Sequence, residues 1–136
     1  MESKEESGQK LPYARSFKEL AVYHKARKLA REIFKISSRF PREEAFSLTD
    51  QWRRAARSIG AQIAESWAKR RYEAHFVSKL TDCDGENSET DSSLDFALQC
   101  GYISPEQHDA LAAKCAEIGR MLNGMITKAA TFSSDI

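Results

Sequence analysis

Apolar residues recur at alternating steps of four and three positions in four segments of this 136-residue chain. This spacing places them along one side of an α-helix and is typical of helices that pack in a bundle. The segments cover about residues 16–38, the stretch from residue 47, residues 72–99 and the stretch from residue 104. The clearest stripes consist of Val22, Ala26, Leu29, Ile33, Ile36 and Phe40 in the first segment, widened by Tyr23, Ala30 and Phe34, and of Leu111, Cys115, Ile118, Leu122, Met125 and Ala129 in the fourth. Because no segment alternates convincingly with a period of two, the sequence predicts an all-α fold.

Local signals mark the ends of these helices. The residue before a proline is pushed out of the α region, so Phe40-Pro41 ends the first helix. Ser104-Pro105-Glu106-Gln107 starts the fourth with a serine cap, a proline at the first helical position and a glutamine that completes a capping box. Short connections such as residues 99–102 favour antiparallel neighbours. We expect an antiparallel up-down-up-down four-helix bundle over residues 15–130, with a disordered N-terminal tail at 1–14 and a C-terminal tail at 131–136.

The second helix carries three arginines within five residues, on the side opposite to its apolar stripe. These are Arg53, Arg54 and Arg57. A guanidinium group matches a carboxylate or a phosphate, so they either pair with Glu65 or the acidic third helix, or contact a nucleic-acid backbone. No aromatic residues are interleaved with them in sequence, which favours sequence-tolerant electrostatic contact over base reading. With the basic cluster at the helix end, the candidate nucleic-acid or interface residues are Arg53, Arg54, Arg57, Lys69, Arg70 and Arg71.

Charge is unevenly distributed, although the formal net charge is only +1. Residues 15–39 carry eight lysines and arginines against two acids, and residues 51–71 carry six against one. Residues 72–110 carry nine acids against Lys79 alone. Opposite charges on one small protein favour self-association or a basic docking face, and both alternatives stay open.

The third helix has the weakest apolar stripe. Asn87 and Thr90 stand where the spacing calls for apolar residues, and acidic residues surround them. An isolated helix of this composition would repel itself. We therefore expect it to face cations from another helix or another subunit.

Patterns typical of catalysis and metal binding are missing from the sequence. No glutamate stands three residues before His24, His75 or His108, as a di-iron bundle requires. The sequence contains no glycine-rich phosphate motif and no nucleophile elbow. Three cysteines without C-x-x-C spacing indicate reduced thiols. We expect no enzyme activity, no cofactor, no metal and no small-molecule substrate.

Targeting signals are also missing. The first dozen residues are polar and lack the apolar run of a signal peptide. Nowhere do 18 apolar residues follow one another, as a membrane span requires. These features favour a cytoplasmic protein without a membrane partner.

Several motifs resemble a known bacterial family. They are Phe17–Ala26, Phe40-Pro41-Arg42-Glu43-Glu44, Leu48–Ala56 and Gly101-Tyr102-Ile103-Ser104. Over about residues 17–128 the chain resembles the four-helix-bundle family first found encoded in intervening sequences of large-subunit ribosomal RNA genes. The resemblance implies an antiparallel four-helix bundle, a ring-like homopentamer and a role with nucleic acid, and it brings no catalytic residues. A distant branch of the fold serves as the accessory protein of diversity-generating retroelements.

We interpret the chain as a non-catalytic, self-assembling bundle that acts as a scaffold or adaptor, with five copies and a basic face. The alternative is a sequence-tolerant RNA- or DNA-binding protein with an intervening-sequence or retroelement accessory role. Both interpretations use the same arginines, because a guanidinium group serves a neighbouring subunit and a phosphate equally well.

Overall fold

The computed structural model describes residues 14–134, which form helices and turns without any strand. The predicted all-α class is confirmed, with four long helices close to the expected positions. Apart from Ala14, which is buried, the predicted N-terminal tail at 1–14 lies outside the described residues. Short 3-10 helices precede α1 and α2 at Phe17–Glu19 and Arg42–Glu44. The α-helices are α1 (Ala21–Ser37), α2 (Leu48–Ala68), α3 (Glu73–Gln99), α4 (Pro105–Thr127) and α5 (Ala129–Ser134).

The stripe of α1 faces the core as its spacing predicts. Leu29 and Ile33 are fully buried in the same cluster as the stripes of α2 and α4. After α1 the ring of Phe40 stacks on Trp52 of α2, with centroids 5.7 Å apart and an interplanar angle of 11°. The stack holds the α1–α2 connection against the core, and Pro41 keeps the chain from continuing as a helix.

Glu44 joins two connections at one end of the molecule. Its Oε1 accepts the backbone N–H of Leu48 at 3.3 Å, so it caps the start of α2. Its Oε2 accepts the hydroxyl of Tyr102, in the α3–α4 connection, at 2.8 Å. This hydrogen bond raises the pKa of Tyr102 to about 12. Beside it the predicted capping box of α4 is confirmed: Ser104 Oγ accepts Gln107 N–H at 3.0 Å, and Gln107 Oε1 accepts Ser104 N–H at 2.9 Å.

The two polar residues in the stripe of α3 face the protein interior. Thr90 and Asn87 are both buried. The Thr90 carbonyl accepts the indole N–H of Trp52 at 3.1 Å, and the Asn87 Nδ2 donates to the Cys115 carbonyl of α4 at 2.9 Å. The Thr90 hydroxyl itself donates to the Glu86 carbonyl within α3 at 2.8 Å, so the polar side chain that joins α3 to a neighbouring helix is that of Asn87.

The chain after residue 130 differs from the predicted C-terminal tail. Residues 129–134 form α5, and residues 135–136 lie outside the described part of the chain. Phe132 is only 1% exposed. Its ring centroid lies 6.3 Å from that of Trp67 and 5.2 Å from that of Phe76. Ser133 Oγ also donates to the Arg70 carbonyl at 2.6 Å. The apolar core thus includes α5, which closes it where α2 meets α3.

Candidate functional site

Arg53 lies over the C-terminal end of α1 and is half-buried. Its Nε donates to Ser37 Oγ at 2.8 Å, and its Nη2 donates to the Phe34 carbonyl at 3.0 Å and to Ser38 Oγ at 3.2 Å. The last carbonyls of a helix have no partner within it and carry partial negative charge, so a cation there is favourable. Arg53 therefore stabilises the end of α1.

The other two arginines of the segment are exposed. The Arg57 guanidinium lies 5.7 Å from the ring centroid of Phe34, on the α1 side of α2. Arg54 lies on the α3 side, in a shallow groove that it lines with Glu86 and Glu89. Within residues 14–134, no ion pair joins Arg53, Arg54 or Arg57 to a carboxylate.

Glu65, the carboxylate expected to pair with these arginines, instead binds two lysines. Lys69 Nζ lies 3.3 Å from its Oε2, and Lys79 Nζ lies 3.3 Å from its Oε1. Hydrogen bonds from Lys69 and then Lys79 hold the pKa of Glu65 below its usual range. Lys69 is thus engaged in an exposed ion pair.

The remaining two candidates at the end of α2 differ from each other. The Arg70 guanidinium stacks 3.9 Å from the ring centroid of Trp67, and its Nη1 donates to the Trp67 carbonyl at 3.0 Å. Arg71 is exposed. Of the six candidate residues, Arg54, Arg57 and Arg71 are exposed without a hydrogen bond or ion pair among the described residues. Arg53 and Arg70 donate hydrogen bonds within the chain, and Lys69 forms an ion pair.

A groove of about 410 Å³ runs between α1 and α2. Its floor consists largely of small residues, and Phe34 lies along it with 45% of its surface exposed. Arg57 and two arginines of α1 surround this floor, and Arg27 stacks 5.9 Å from the ring centroid of Tyr23. We call this feature the α1–α2 groove. Its lining residues are Tyr23, Ala26, Arg27, Ala30, Arg31, Phe34, Ala56, Arg57, Gly60 and Ala61.

The spacing of the sequence does not reveal this groove. It predicts Tyr23 and Phe34 on the apolar side of the first helix, and the second helix has no aromatic residues among its arginines. The aromatic residue beside Arg57 comes from the other helix, because the ring of Phe34 in α1 lies 5.7 Å from the Arg57 guanidinium. A partial signal was available, because Tyr23, Arg27 and Arg31 recur every four residues and so share one face of α1.

The outward side of α3 is acidic. Glu86 is half-buried beside the α2–α3 groove, and burial, followed by the charge of Glu89, raises its pKa. Burial, followed by the charge of Asp95, likewise raises the pKa of Asp91. The neighbouring carboxylates thus disfavour each other's charged form along this side of the helix. The acidic residues on this helix are Glu73, Asp82, Asp84, Glu86, Glu89, Asp91 and Asp95.

The basic and acidic sides lie across the molecule from each other. Among the described residues, α1 packs against α2 and α4, and α3 also packs against α2 and α4, whereas α1 and α3 do not touch. The arginines beside α1 therefore do not reach the outer carboxylates of α3 in the same chain.

The sequence matches the profile of the 23S rRNA-intervening sequence protein family over residues 18–124. The chain belongs to this family. A crystal structure of a protein with unknown function from the S23 ribosomal protein family of Bacteroides thetaiotaomicron is similar, with a TM-score of 0.69 and 27% identity. The similarity covers 78% of this chain and 95% of that one. The comparison with curated proteins found no match.

The family match includes the helices that form the candidate site. In this intervening-sequence family member, the α1–α2 groove and the acidic side of α3 both fall within residues 18–124, whereas α5 lies beyond them. The features with opposite charge thus lie within the part of the chain that matches the family.

Two of the three cysteines of this family member, Cys83 and Cys115, are buried. Burial raises the pKa of Cys83 and of Cys115 to about 12, so both thiols stay protonated at neutral pH. Within residues 14–134 no three His, Cys, Asp or Glu side chains are grouped closely enough to hold a metal ion. None of the described helices combines the length and hydropathy needed to span a bilayer.

Proposed function

We propose that this family member is a non-catalytic, self-assembling scaffold or adaptor. Contacts between helices support an antiparallel up-down-up-down arrangement of α1 to α4. Early α2 meets late α1 through Arg53 and the Phe34 carbonyl. Early α4 meets late α3 through His108 and Asp95, whose Nε2 and Oδ1 are 2.7 Å apart. Such a bundle presents two separate sides, one along α1 and α2 and one along α3.

The observation that carries this proposal is the separation of charge between those sides. A surface with guanidinium groups and a surface with carboxylates on the same chain are complementary between copies. Contact between two different surfaces is heterologous, and copies joined in this way form a closed ring or an open filament. A ring of five is the state that the family resemblance implies, and we include it and a cytoplasmic location in the proposal.

The mass of the purified protein tests self-assembly. We expect light scattering and native mass spectrometry at moderate salt to give a single oligomer, with five subunits. Because the contact is between opposite charges, dissociation should increase with ionic strength. A strictly monomeric species at micromolar concentration would remove the proposal.

A second candidate function is sequence-tolerant binding of RNA or DNA, with the retroelement accessory role as one form of it. The supporting observation is that Arg54, Arg57 and Arg71 are exposed. Phosphate contacts of this kind release counterions, so the affinity should fall steeply with salt. Replacing Arg54 and Arg57 by glutamine should reduce the salt slope by roughly 2, about one per arginine. Arg120→Gln on α4, also exposed, is the matched control and should leave the slope unchanged.

Purification without nuclease separates the two candidates. A nucleic-acid-binding protein should elute with an absorbance ratio and a mass that show bound RNA or DNA. A scaffold should elute as protein alone at its oligomeric mass. If the double arginine variant loses its oligomer and keeps its nucleic-acid affinity, the two arginines serve assembly.

A further inference from the structure

The α1–α2 groove has a shape into which a helix could pack. Its floor is low because it is built from Ala26, Ala30, Ala56 and Ala61, with the ring of Tyr23 against Gly60, 3.5 Å from where a Cβ would stand. Beside this floor Phe34 leaves almost half of its surface uncovered. Small residues allow the axes of packed helices to approach to the lower end of the usual range of about 8–10 Å. The three arginines around the floor select an acidic occupant.

One helix of the same chain has a matching outer face. Exposed small residues follow each other along α3 at steps of four and three, so they lie in one line on its surface. At the centre is Gly85, where an added Cβ would meet no atom within 4 Å. A glycine inside a helix costs about 0.5–1 kcal/mol relative to alanine, and nothing in the single chain requires it. The line consists of Ala74, Ser78, Thr81, Gly85, Ser88 and Ser92, and it ends at Phe96.

Acidic residues flank this line on both sides. Asp82 and Glu89 lie on the side toward α2, and Asp84, Asp91 and Asp95 lie on the other side, by their positions at 100° per residue. The line of small residues on α3 matches the small residues on the floor of the groove. The carboxylates on both sides of that line match the arginines around the floor. Within one chain the two surfaces cannot meet, because α1 and α3 lie on opposite sides.

We propose that the α1–α2 groove is occupied by the outer face of α3 from a second copy of this chain. Gly85 then lies against the floor near Gly60 and Ala61, while carboxylates of α3 pair with Arg27, Arg31 and Arg57. The proposal rests on self-assembly and specifies its interface. The groove of each copy binds α3 of one neighbour, and its own α3 binds the groove of another neighbour. The contact is therefore heterologous.

Two bulky substitutions test the interface from its two sides. Gly85→Trp blocks the α3 face, where the structure has open space for a side chain. Ala61→Trp blocks the groove from an exposed position. Gly124→Trp on α4 is the matched control, because an added Cβ there also meets nothing within 4 Å. We expect each blocking variant to weaken self-association at least tenfold and the control to keep the parent mass, with circular dichroism showing that all three are folded.

Mixing the two blocking variants gives the sharper result. The Gly85→Trp variant keeps its groove, and the Ala61→Trp variant keeps its α3 face, so these two surfaces can still bind each other. The α3 face of the first variant and the groove of the second are blocked. An equimolar mixture should therefore give a 1:1 dimer and no larger species, whereas each variant alone stays monomeric. If either substitution leaves a variant unfolded, the charge reversals Glu89→Arg and Arg31→Glu at exposed positions replace the pair. Each reversal alone should then lose the oligomer, and the mixture should regain the parent mass, because the two reversed surfaces are complementary to each other. A mixture of folded reversal variants that stays monomeric would overturn the interface.

The remaining outcomes overturn the interface in distinguishable ways. If folded blocking variants keep the oligomeric mass of the parent, the subunits meet elsewhere and self-assembly stands without this interface. If the parent is itself a monomer, self-assembly fails and the interface fails with it. If the groove variant keeps its oligomer and loses copurifying RNA or DNA, the groove is a nucleic-acid site instead.

Discussion

The guanidinium group of Arg53 lies 4.2 Å from the ring centroid of Phe34 and donates its Nη2–H to the carbonyl of the same residue at 3.0 Å. One arginine thus covers the ring and the backbone of a residue in the last turn of α1. Arg57 lies 5.7 Å from the same ring on the groove side. Phe34 therefore separates the half-buried Arg53, which is hydrogen-bonded within the chain, from the exposed Arg57.

Replacing Arg53 by lysine should destabilise the protein by about 1 kcal/mol. Lysine keeps the positive charge but lacks the planar fork that reaches two groups at once. The loss is that of a typical hydrogen bond at a partly exposed site. Chemical denaturation should show a lower midpoint for Arg53→Lys and, within about 0.5 kcal/mol, an unchanged one for the exposed Arg54→Lys. Equal effects of the two substitutions would contradict a capping role for Arg53.

Replacing Phe132 by alanine should cost about 3–5 kcal/mol, as for other buried phenylalanines. Its ring packs against Trp67 and Phe76, so the truncation leaves a cavity where α5 closes the core. Phe46 is the matched control, because 97% of its surface is exposed. Phe46→Ala should change the free energy of unfolding by less than about 0.5 kcal/mol. Similar stability of both variants in urea would show that α5 does not belong to the core.

Much of the fold could be predicted from the sequence because the apolar spacing has a period. The stripe of α1 and the capping box at Ser104 are local patterns, and a local pattern fixes a helix and its start. Phe132 could not be placed in this way. It follows the last stripe in a segment of six helical residues, too short to show a period, and only its contacts with Trp67 and Phe76 reveal its burial.

The candidate site was harder to predict, because its parts come from different helices. Helical periodicity puts Arg53, Arg54 and Arg57 on one side of α2 and does not say what lies next to each. Arg53 is hydrogen-bonded to the end of α1, Arg57 lines the α1–α2 groove, and Arg54 lies on the side of α2 that faces α3. These differences depend on how helices pack together, and a pattern within one helix carries no information about that.

Protonated His108 should stabilise the α3–α4 contact, and this contribution should disappear as the pH rises. Hydrogen bonds with Asp95 and then Asp109 raise its pKa above the usual value of 6.5. A raised pKa in the folded state means that the stabilisation is complete below the unfolded pKa and is lost as the pH passes through the folded pKa. Asp91 also faces this group and adds negative charge.

Thermal unfolding from pH 6 to pH 8 measures this effect. We expect the melting temperature of the parent to fall relative to that of His108→Gln over this range. Asp95→Asn, which removes the nearer carboxylate at 2.7 Å, should flatten the same difference. A parent and a His108→Gln variant with parallel pH profiles would rule out the contribution.

Replacing Asn87 by leucine should stabilise the protein by about 1–2 kcal/mol. The side chain is 6% exposed, its Nδ2 donates to the Cys115 carbonyl, and its Oδ1 is buried without a partner among the described residues. An unpaired buried acceptor costs about 1–3 kcal/mol, and leucine fills a similar volume without it. Asn87→Ala is the control, because it removes the same polar group and leaves a cavity.

Urea unfolding should therefore rank the leucine variant as more stable than the parent, and the parent as more stable than the alanine variant, with the oligomeric mass unchanged in all three. If the leucine variant loses its oligomer, Asn87 contacts another copy of the chain. That result would contradict its buried position between α3 and α4.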